Sequence, residues 1–502
     1  MPSSPTRRTL GAVSSTRNSR LCRGYMQLPP APTCATMPGV KTETHTQQTV
    51  LKLTALALGI LLLGLTPYPR AFTQAVRRAE EERAATAYGA ALDAYRRAAQ
   101  LDRRSPRPWQ GMGEVLLTQH RFVEATAALR EAERLGGGLE TGLALGWSYA
   151  GRGDWAAATR AWLRTQAQAP ADARLPLALA LAATAQGRFE QAQAWLDEAL
   201  RLDPTNKGAA SLAGRLALTD DLDAAEAWFE QGGDEDMLSV LEAVRAEPDP
   251  ARADLLLGAA FLQRGELALA RRHLERRLAA APDSEVLAYL GHTLDLQGET
   301  AAGGEALRRA VGLDPDSALA YYFLGVHQRL VGNLADAQAA LWEAHLRDPE
   351  NAAQRVEMAE TFVDLGDYAS AEEWYQGAVE AAPDEIDFHL LLAHFYLDHL
   401  YRVEEGGLPA AQAAVELAPE DARAHDLLGW AYYLSGDAVA GVQSLLRALE
   451  LDPDLASAHY HLGTLYAALG QRELARKHLR RAADLDTEGF FRARAEEALY
   501  DQ

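Results

Sequence analysis

From residue 35 to the C-terminus the chain has no cysteine, because its two cysteines, Cys22 and Cys34, both lie near the N-terminus. A fold built from that part of the chain needs no disulfide and suits either redox compartment. Motifs that carry chemistry are also missing: the sequence has no nucleophile elbow, P-loop, HExxH motif, EF-hand loop, paired-cysteine motif or Rossmann glycine pattern. We therefore predict neither catalysis nor a cofactor.

Positive charge is scarce as well. The chain has 49 Lys and Arg against 70 Asp and Glu, a formal net charge of −21. Residues 1–70 hold eight basic residues and one acidic residue, so they carry +7 and the remainder carries −28. Because so acidic a surface repels phosphate backbones, nucleic-acid binding is not predicted.

Only one long hydrophobic run occurs, at residues 50–66 (VLKLTALALGILLLGLT). Extended to residue 68, it approaches the roughly 20 residues that a membrane-spanning helix needs. No small-residue cleavage motif follows, so we predict an uncleaved transmembrane signal anchor over residues 50–68; a cleaved signal peptide and a buried helix are the alternatives. Residues 1–49 are rich in Ser, Thr, Pro and Arg and are predicted to form a disordered basic tail.

The sequence features that bear on the orientation of this anchor disagree. Basic residues after the run outnumber the nearby Lys41 and Lys52, which favours a cytoplasmic body, whereas the complete tail reverses that count. A lysine immediately before an apolar core is typical of segments that export the chain behind them. We therefore expect a single-pass anchor with an exported body.

The rest of the chain repeats one unit, which residues 316–349 (DSALAYYFLGVHQRLVGNLADAQAALWEAHLRDP) illustrate: a helix, a glycine turn and a second helix. Two such short helices cannot bury their apolar faces alone, so the unit needs copies on either side. A small residue recurs in the first helix at steps of 33–36 residues, with one step of 45. These positions are Gly113, Gly146, Ala180, Ala213, Gly258, Gly291, Gly325, Ala359, Ala393, Gly429 and Gly463.

At other positions of the unit, the same type of residue recurs from one repeat to the next. A second small residue, such as Ala337, follows most of the first ones by twelve residues and predicts that the two helices cross closely. Proline ends most units, as at Pro349, because it cannot continue the preceding helix. Glycine can adopt the positive φ that such turns need, and it recurs between the two helices at Gly153, Gly187, Gly265, Gly298, Gly332, Gly366, Gly436 and Gly470.

This pattern resembles the tetratricopeptide repeat family. The match is strong in WQGMGEVL from Trp109 and in LGWAYYLSGDAVAGVQSLLRALELDP from Leu428 to Pro453, and about eleven units are in phase. The resemblance implies an all-α solenoid of helix-turn-helix units wound as a right-handed superhelix. It also implies a groove, lined by the first helices, that holds peptide segments of protein partners.

We predict an N-terminal repeat block at residues 71–231, an acidic insert at 232–250, a C-terminal repeat block at 251–486 and a capping helix at 487–502. The insert accounts for the step of 45 and is either a hinge or a bulge in a continuous solenoid. The step of 36 lengthens the turn at residues 402–408, which is expected to project from the surface.

Family geometry places one set of first-helix residues of the C-terminal block in the groove. They mix acids with aromatics, which suits a partner segment with basic and apolar side chains. A solvated acidic face with aromatics that only pack between repeats is the alternative. The predicted groove residues are Tyr322, Arg329, Glu360, Asp364, His394, Asp398, Asp426, Trp430, Tyr433 and Tyr460.

Histidine is crowded near the C-terminus, and this suggests a second hypothesis. His394 and Asp398 lie four residues apart on one helix face, a spacing that can bind metal. His389, His425 and His459 occupy equivalent positions in three repeats, where packing against the preceding unit is expected. The primary prediction is a membrane-anchored, non-catalytic protein-interaction scaffold, and the alternative is a histidine-based metal-binding protein of the envelope.

Overall fold

The computed structural model of the chain describes residues 67–500, which form α-helices and no β-strands. The basic tail at residues 1–49 and the apolar run at 50–66 lie outside the described residues. Between residues 67 and 500, every helix is too short or too polar to span a bilayer. The predicted all-α solenoid is therefore confirmed for the described part of the chain, and the membrane helix stays a prediction.

Ten helices form five antiparallel pairs in the N-terminal block: α1 Pro67–Ala84, α2 Tyr88–Leu101, α3 Arg107–Thr118, α4 Phe122–Arg134, α5 Leu139–Gly151, α6 Trp155–Gln166, α7 Arg174–Ala185, α8 Phe189–Leu202, α9 Lys207–Ala217 and α10 Leu222–Gly232. One unpaired helix, α11 Glu235–Ala246, follows.

Seven more pairs form the C-terminal block: α12 Pro250–Gln263, α13 Leu267–Ala280, α14 Ser284–Leu296, α15 Thr300–Leu313, α16 Ala318–Leu330, α17 Leu334–Arg347, α18 Ala352–Leu365, α19 Tyr368–Ala381, α20 Ile386–Asp398, α21 Leu408–Leu417, α22 Ala422–Leu434, α23 Ala438–Leu451, α24 Ala456–Ala468 and α25 Arg472–Leu485. The last helix, α26 Phe490–Tyr500, packs against α24 and α25.

The two helices of a pair cross where the first carries its small residue. A Cβ atom placed on Gly325 would lie 2.5 Å from Cγ of Leu341, and one on Gly429 would lie 2.6 Å from Cγ of Leu445. Both leucines are fully buried, so a larger residue in the first helix would force the pair apart. All eight turn glycines singled out by the sequence have positive φ, 83° at Gly332 for example, which confirms that prediction.

The first helices of neighbouring pairs lie on the inner side of the curve. α14 contacts α16, α20 contacts α22, and α22 contacts α24, in each case one first helix against the next. The second helices of successive pairs make no comparable contact within residues 67–500. Because the first helices approach one another more closely than the second helices do, the array curves towards the side of the first helices.

The insert is packed into the array. Met237, Leu241 and Val244 of α11 are buried and belong to the same apolar core as Phe229 of α10 and Phe261 of α12. The core therefore runs without interruption from the N-terminal block through α11 into the C-terminal block.

The lengthened turn does not project as expected. Residues 403–407 form a short π-helix that folds back onto α20, and Gly407 is buried. A Cβ atom on Gly407 would lie 3.2 Å from Cβ of Tyr396, so the backbone rests directly on that helix. The prediction of a projecting turn at residues 402–408 was wrong because its two glycines allow close packing of the backbone, which spacing alone does not reveal.

Buried charges hold the insert in place. The Arg215 guanidinium of α9 donates a 2.8 Å hydrogen bond to Asp234, the N-cap of α11, and lies 3.6 Å from Glu266, the residue before α13. Ser211 also donates to Asp234. Arg215 thus lies between two carboxylates that are largely removed from water, and Glu266 also accepts a 3.2 Å hydrogen bond from Arg264.

Replacing Arg215 with methionine should leave Asp234 buried without its countercharge, whereas Glu266 keeps its hydrogen bond to Arg264. Loss of one partner of a buried ion pair costs about 3–5 kcal/mol. We expect the urea midpoint of unfolding, followed by helical circular dichroism, to fall well below that of the wild type. Arg160→Met, at an exposed position of α6, is the matched control and should leave the midpoint unchanged. Equal midpoints for the two variants would contradict a structural role for this network.

Candidate partner-binding groove

Polar pairs join successive first helices along the inner side of the C-terminal block. Nδ1 of His327 in α16 lies 3.0 Å from both carboxylate oxygens of Asp295 in α14, and both side chains are buried. Nδ1 of His461 in α24 lies 2.8 Å from the Asp426 carboxylate of α22, again with both side chains buried. Because burial disfavours a charged carboxylate, the pKa of Asp295 is raised, although the hydrogen bond to His327 opposes the shift.

An arginine surrounded by acids lies between these two pairs. The Arg329 guanidinium of α16 is 3.1 Å from Glu357, 3.3 Å from Asp364 and 3.7 Å from Glu360, all on α18. Burial lowers the pKa of Arg329, but the three carboxylates outweigh burial and hold that pKa above its ordinary value. The Tyr375 hydroxyl donates a further hydrogen bond to Glu360.

The next first helix carries an exposed histidine and carboxylate. Nδ1 of His394 lies 3.4 Å from the Asp398 carboxylate one turn later on α20, and 60% of the Asp398 side chain is exposed. Partial desolvation raises the pKa of Asp398, but the hydrogen bond to His394 and the nearby His461 outweigh this rise, so the pKa lies below its ordinary value. We call Glu357, Glu360, Asp364 and Asp398 the acidic row; with Arg329 included, its formal charge is −3.

Aromatic rings continue the inner side beyond the acidic row. Trp430 stacks on His461 at 4.4 Å and lies 5.1 Å from Tyr433, measured between ring centroids. The Tyr460 ring contacts His461 at 5.6 Å and Phe491 of α26 at 5.5 Å. We call these five residues the aromatic cluster: Tyr433, Trp430, His461, Tyr460 and Phe491.

The ten predicted groove residues lie in two groups along the first helices. Arg329, Glu360 and Asp364 meet between α16 and α18, with Tyr322 on the same first helix, where its ring lies 5.2 Å from that of Phe323. The second group spans α20 to α24 and consists of His394, Asp398, Asp426, Trp430, Tyr433 and Tyr460.

Burial separates the members of the second group. Asp426 is only 3% exposed and is paired with His461, so it is poorly placed to contact a ligand directly. Sequence reasoning did not place Glu357, His461 or Phe491 in the groove. His461 follows the predicted Tyr460 directly and pairs with Asp426 across 35 positions, whereas Phe491 enters from the terminal helix, to which we assigned only a capping role.

The crowded histidines mostly have structural partners. Nε2 of His389, His425 and His459 donates to the carbonyl oxygen of a proline six residues earlier, over 2.9, 2.9 and 3.1 Å. Arg355 makes the equivalent contact with Pro349. Among residues 67–500, no group of three or more His, Cys, Asp or Glu side chains could hold a metal ion. The metal-binding alternative therefore has no support in the described part of the chain.

Family models agree with this geometry. Models described as "Tetratricopeptide repeat" match residues 143–207, 239–285, 328–395 and 456–488, and one described as "TPR repeat" matches residues 441–470. The chain is a tetratricopeptide repeat protein. A comparison with curated proteins found no match.

Several solved structures resemble parts of this tetratricopeptide repeat protein. YrrB, described as having an unusual peptide-binding site, is 24% identical over 39% of this chain and 99% of its own, with a TM-score of 0.30. Yeast Tom70 is 14% identical over 86% of this chain and 96% of its own, with a TM-score of 0.40. Cut9–Hcn1 of the APC/C is 16% identical over 85% of this chain and 89% of its own, with a TM-score of 0.37. The repeat family itself implies protein partners.

The histidine pair of the last repeat is sensitive to protonation. Nδ1 of His459 and Nδ1 of His478 lie 2.9 Å apart, so one must donate and the other accept. Since His459 already donates from Nε2 to Pro453, His478 is the donor in this pair. Burial, followed by the nearby His459 and Lys477, lowers the pKa of His478 to about 4.

The unfolded chain, with a histidine pKa near ~6.5, binds a proton at higher pH than the folded chain does. Stability is therefore complete above pH ~6.5 and falls as the pH drops towards ~4, by about 3 kcal/mol at most. We expect urea midpoints at pH ~7.5 and ~4.5 to differ less in His478→Gln than in the wild type. An identical pH dependence of the two proteins would contradict this assignment.

Proposed function

We propose that the inner side of the C-terminal block binds a segment of a partner protein that carries basic and apolar side chains. The observation that supports this proposal is the adjacency of the acidic row, in which Asp364 and Asp398 are the most exposed side chains, and the largely buried aromatic cluster on the inner side. Basic side chains of the partner would pair with the acidic row, and apolar ones would pack against the aromatic cluster.

Electrostatics supports a basic partner. Arg329 compensates one of the four carboxylates of the acidic row, which leaves a surplus of negative charge on the inner side. Asp398 is the most exposed of the four, and its lowered pKa keeps it ionised through the neutral range. A lysine or arginine of the partner would gain most from contact there, and that gain would weaken as salt increases.

The aromatic cluster supports an apolar anchor. Trp430 is held by its stacking on His461, which in turn is fixed by the buried Asp426. An aromatic ring that is already ordered loses little conformational entropy on binding, and such residues dominate the energetics of many interfaces. We assign Asp426 a positioning role rather than a contact role because its side chain is buried.

We propose that the protein acts by binding alone, as a scaffold. The two histidine–aspartate pairs that join first helices, His327 with Asp295 and His461 with Asp426, are buried where the helices meet. Groups enclosed in this way stabilise the inner side and are poorly placed for proton transfer to a substrate.

We further propose that residues 50–68 anchor the scaffold in a membrane and that the repeat body is exported. Support comes from the apolar run, the lysine that precedes its uncharged part and the basic tail before it. An anchor would confine the acidic inner side to a thin layer next to the membrane and so raise its effective concentration for partners in the same membrane.

The double variant Asp398→Asn with Trp430→Leu tests the groove. On an array of short peptides rich in Lys, Leu and Phe, we expect the wild type to bind and this variant to bind at least about tenfold more weakly, since a charge pair and an aromatic anchor are lost together. Binding of the wild type should also weaken with salt.

A matched control lies on the outer side. Asp336 and Trp342 of α17 are both exposed, Trp342 to 48%, so Asp336→Asn with Trp342→Leu makes the same chemical change outside the groove. Equal loss of peptide binding in the two double variants, or no binding by the wild type, would refute the groove assignment.

Deletion of residues 50–66 tests the anchor. We expect the full chain to stay with membranes through alkaline carbonate extraction and the deleted chain to be recovered in the supernatant. Protease added to sealed spheroplasts should digest the body of the full chain if it is exported. Protection of the body until lysis would refute the orientation but not the anchor.

A further inference from the structure

The last helix pair contacts the first one, although some 390 residues separate them. Oδ1 of Asp484 in α25 accepts a 2.7 Å hydrogen bond from the backbone amide of Gly89, near the start of α2. The Arg481 guanidinium donates to the hydroxyl of Thr86 at 2.8 Å and to its carbonyl oxygen at 3.2 Å. Burial raises the pKa of the Asp484 carboxyl, because this contact removes it from water.

The terminal helix extends the same contact. Arg492 of α26 donates to the carbonyl oxygen of Gln119, in the turn between α3 and α4, over 3.3 Å. The Gln119 side chain, 2% exposed, reaches the carbonyl oxygens of Ala483 and Asp484 at 3.5 Å. We call this set of contacts, between residues 86–119 and residues 481–492, the latch.

The beginning of the C-terminal block also rests on the N-terminal block. Arg276 of α13 donates to the carbonyl oxygen of Thr219, and the Arg272 guanidinium lies 4.5 Å above the ring of Phe189. Helix α13 thereby contacts α7. Thr219 lies in the turn of its helix pair, as Thr86 and Gln119 do, and Phe189 directly follows such a turn. Both ends of the C-terminal block therefore contact the same edge of the N-terminal block.

The latch and the contact of α13 with α7 join the two blocks at both ends of the C-terminal block. Stacked helices run from α2 to α25, and the latch joins α25 back to α2. At the other junction the blocks share a covalent connection and an apolar core through α11. The latch consists mainly of hydrogen bonds made by Arg481, Asp484 and Arg492, so it is the junction that can separate while both blocks stay folded.

We propose that the latch closes the solenoid into a ring and that its opening admits large partners to the inner side. The second half of this statement rests on the proposed function, because it concerns access to the groove. A free peptide end could enter the closed ring, whereas a segment between two folded domains would need the latch to open. Salt would favour opening, since the latch depends on charged side chains.

Two sets of substitutions open the latch from opposite sides. Arg481→Ala with Asp484→Ala removes its charged groups from α25. Gly89→Pro removes the backbone N–H that donates a hydrogen bond to Asp484. Gly89 lies in the first turn of α2, where proline is tolerated. Each charge-assisted hydrogen bond lost should shift the equilibrium towards the open ring by about tenfold, equivalent to about 1.4 kcal/mol.

Arg472→Ala with Glu473→Ala is the matched control, because it removes one charge of each sign from exposed positions of the same helix. In small-angle X-ray scattering we expect a larger maximum dimension for both latch variants and for the wild type at high salt, with unchanged helical circular dichroism. Wild-type dimensions in both latch variants would overturn the ring.

Access of a large molecule to the inner side can be measured by thiol labelling, without any partner protein. In a chain with Cys22→Ser and Cys34→Ser, the exposed Asp398→Cys supplies one thiol on the inner side. Opening the latch should speed its reaction with a maleimide that carries a large polyethylene glycol chain by about tenfold, while N-ethylmaleimide reacts at an unchanged rate. Equal rates with the large reagent would overturn the gating role, and failure of the peptide array alone would count only against the proposed function.

Discussion

The close crossing of two helices at a residue without a large side chain is the constraint on which the structure depends. Gly325 against Leu341 and Gly429 against Leu445 show the same arrangement: the leucine of the second helix occupies the space that a side chain on the first would need. Because the crossing recurs every 33–36 residues, each pair presents the same shape to the next. Stacking then buries apolar surface that a single pair would leave exposed to water.

The single longer step of 45 residues contains the extra helix α11, which packs into the array. Helix α11 has no partner helix, yet Met237, Leu241 and Val244 insert into the core shared by its neighbours. The buried Arg215 fixes Asp234 at the start of that helix. An apolar face and a compensated charge together keep the array continuous, and across the insert α13 rests on α7.

Structure and proposed function meet on the inner side. Curvature brings first helices together, and their contacts are made by paired polar groups such as Asp426 with His461. The same pairs hold the aromatic cluster, while the acidic row lies beside it with a surplus of charge. A surface with fixed rings and unbalanced carboxylates is suited to a basic and apolar segment. The latch adds a geometric condition, since a ring discriminates between free chain ends and segments held between domains.

The local architecture was determined by the sequence alone: the small residues set the helix crossings, the turn glycines the reversals and the prolines the ends, because each acts within one repeat. The resemblance to the repeat family also predicted which first-helix residues, such as Trp430 and Tyr460, line the groove. Tertiary structure decided what depends on distant partners. His461 buries Asp426 across 35 residues, Phe491 joins the aromatic cluster from the last helix, and Asp484 reaches Gly89. Such contacts arise from small rotations accumulated over many repeats, which no local pattern encodes.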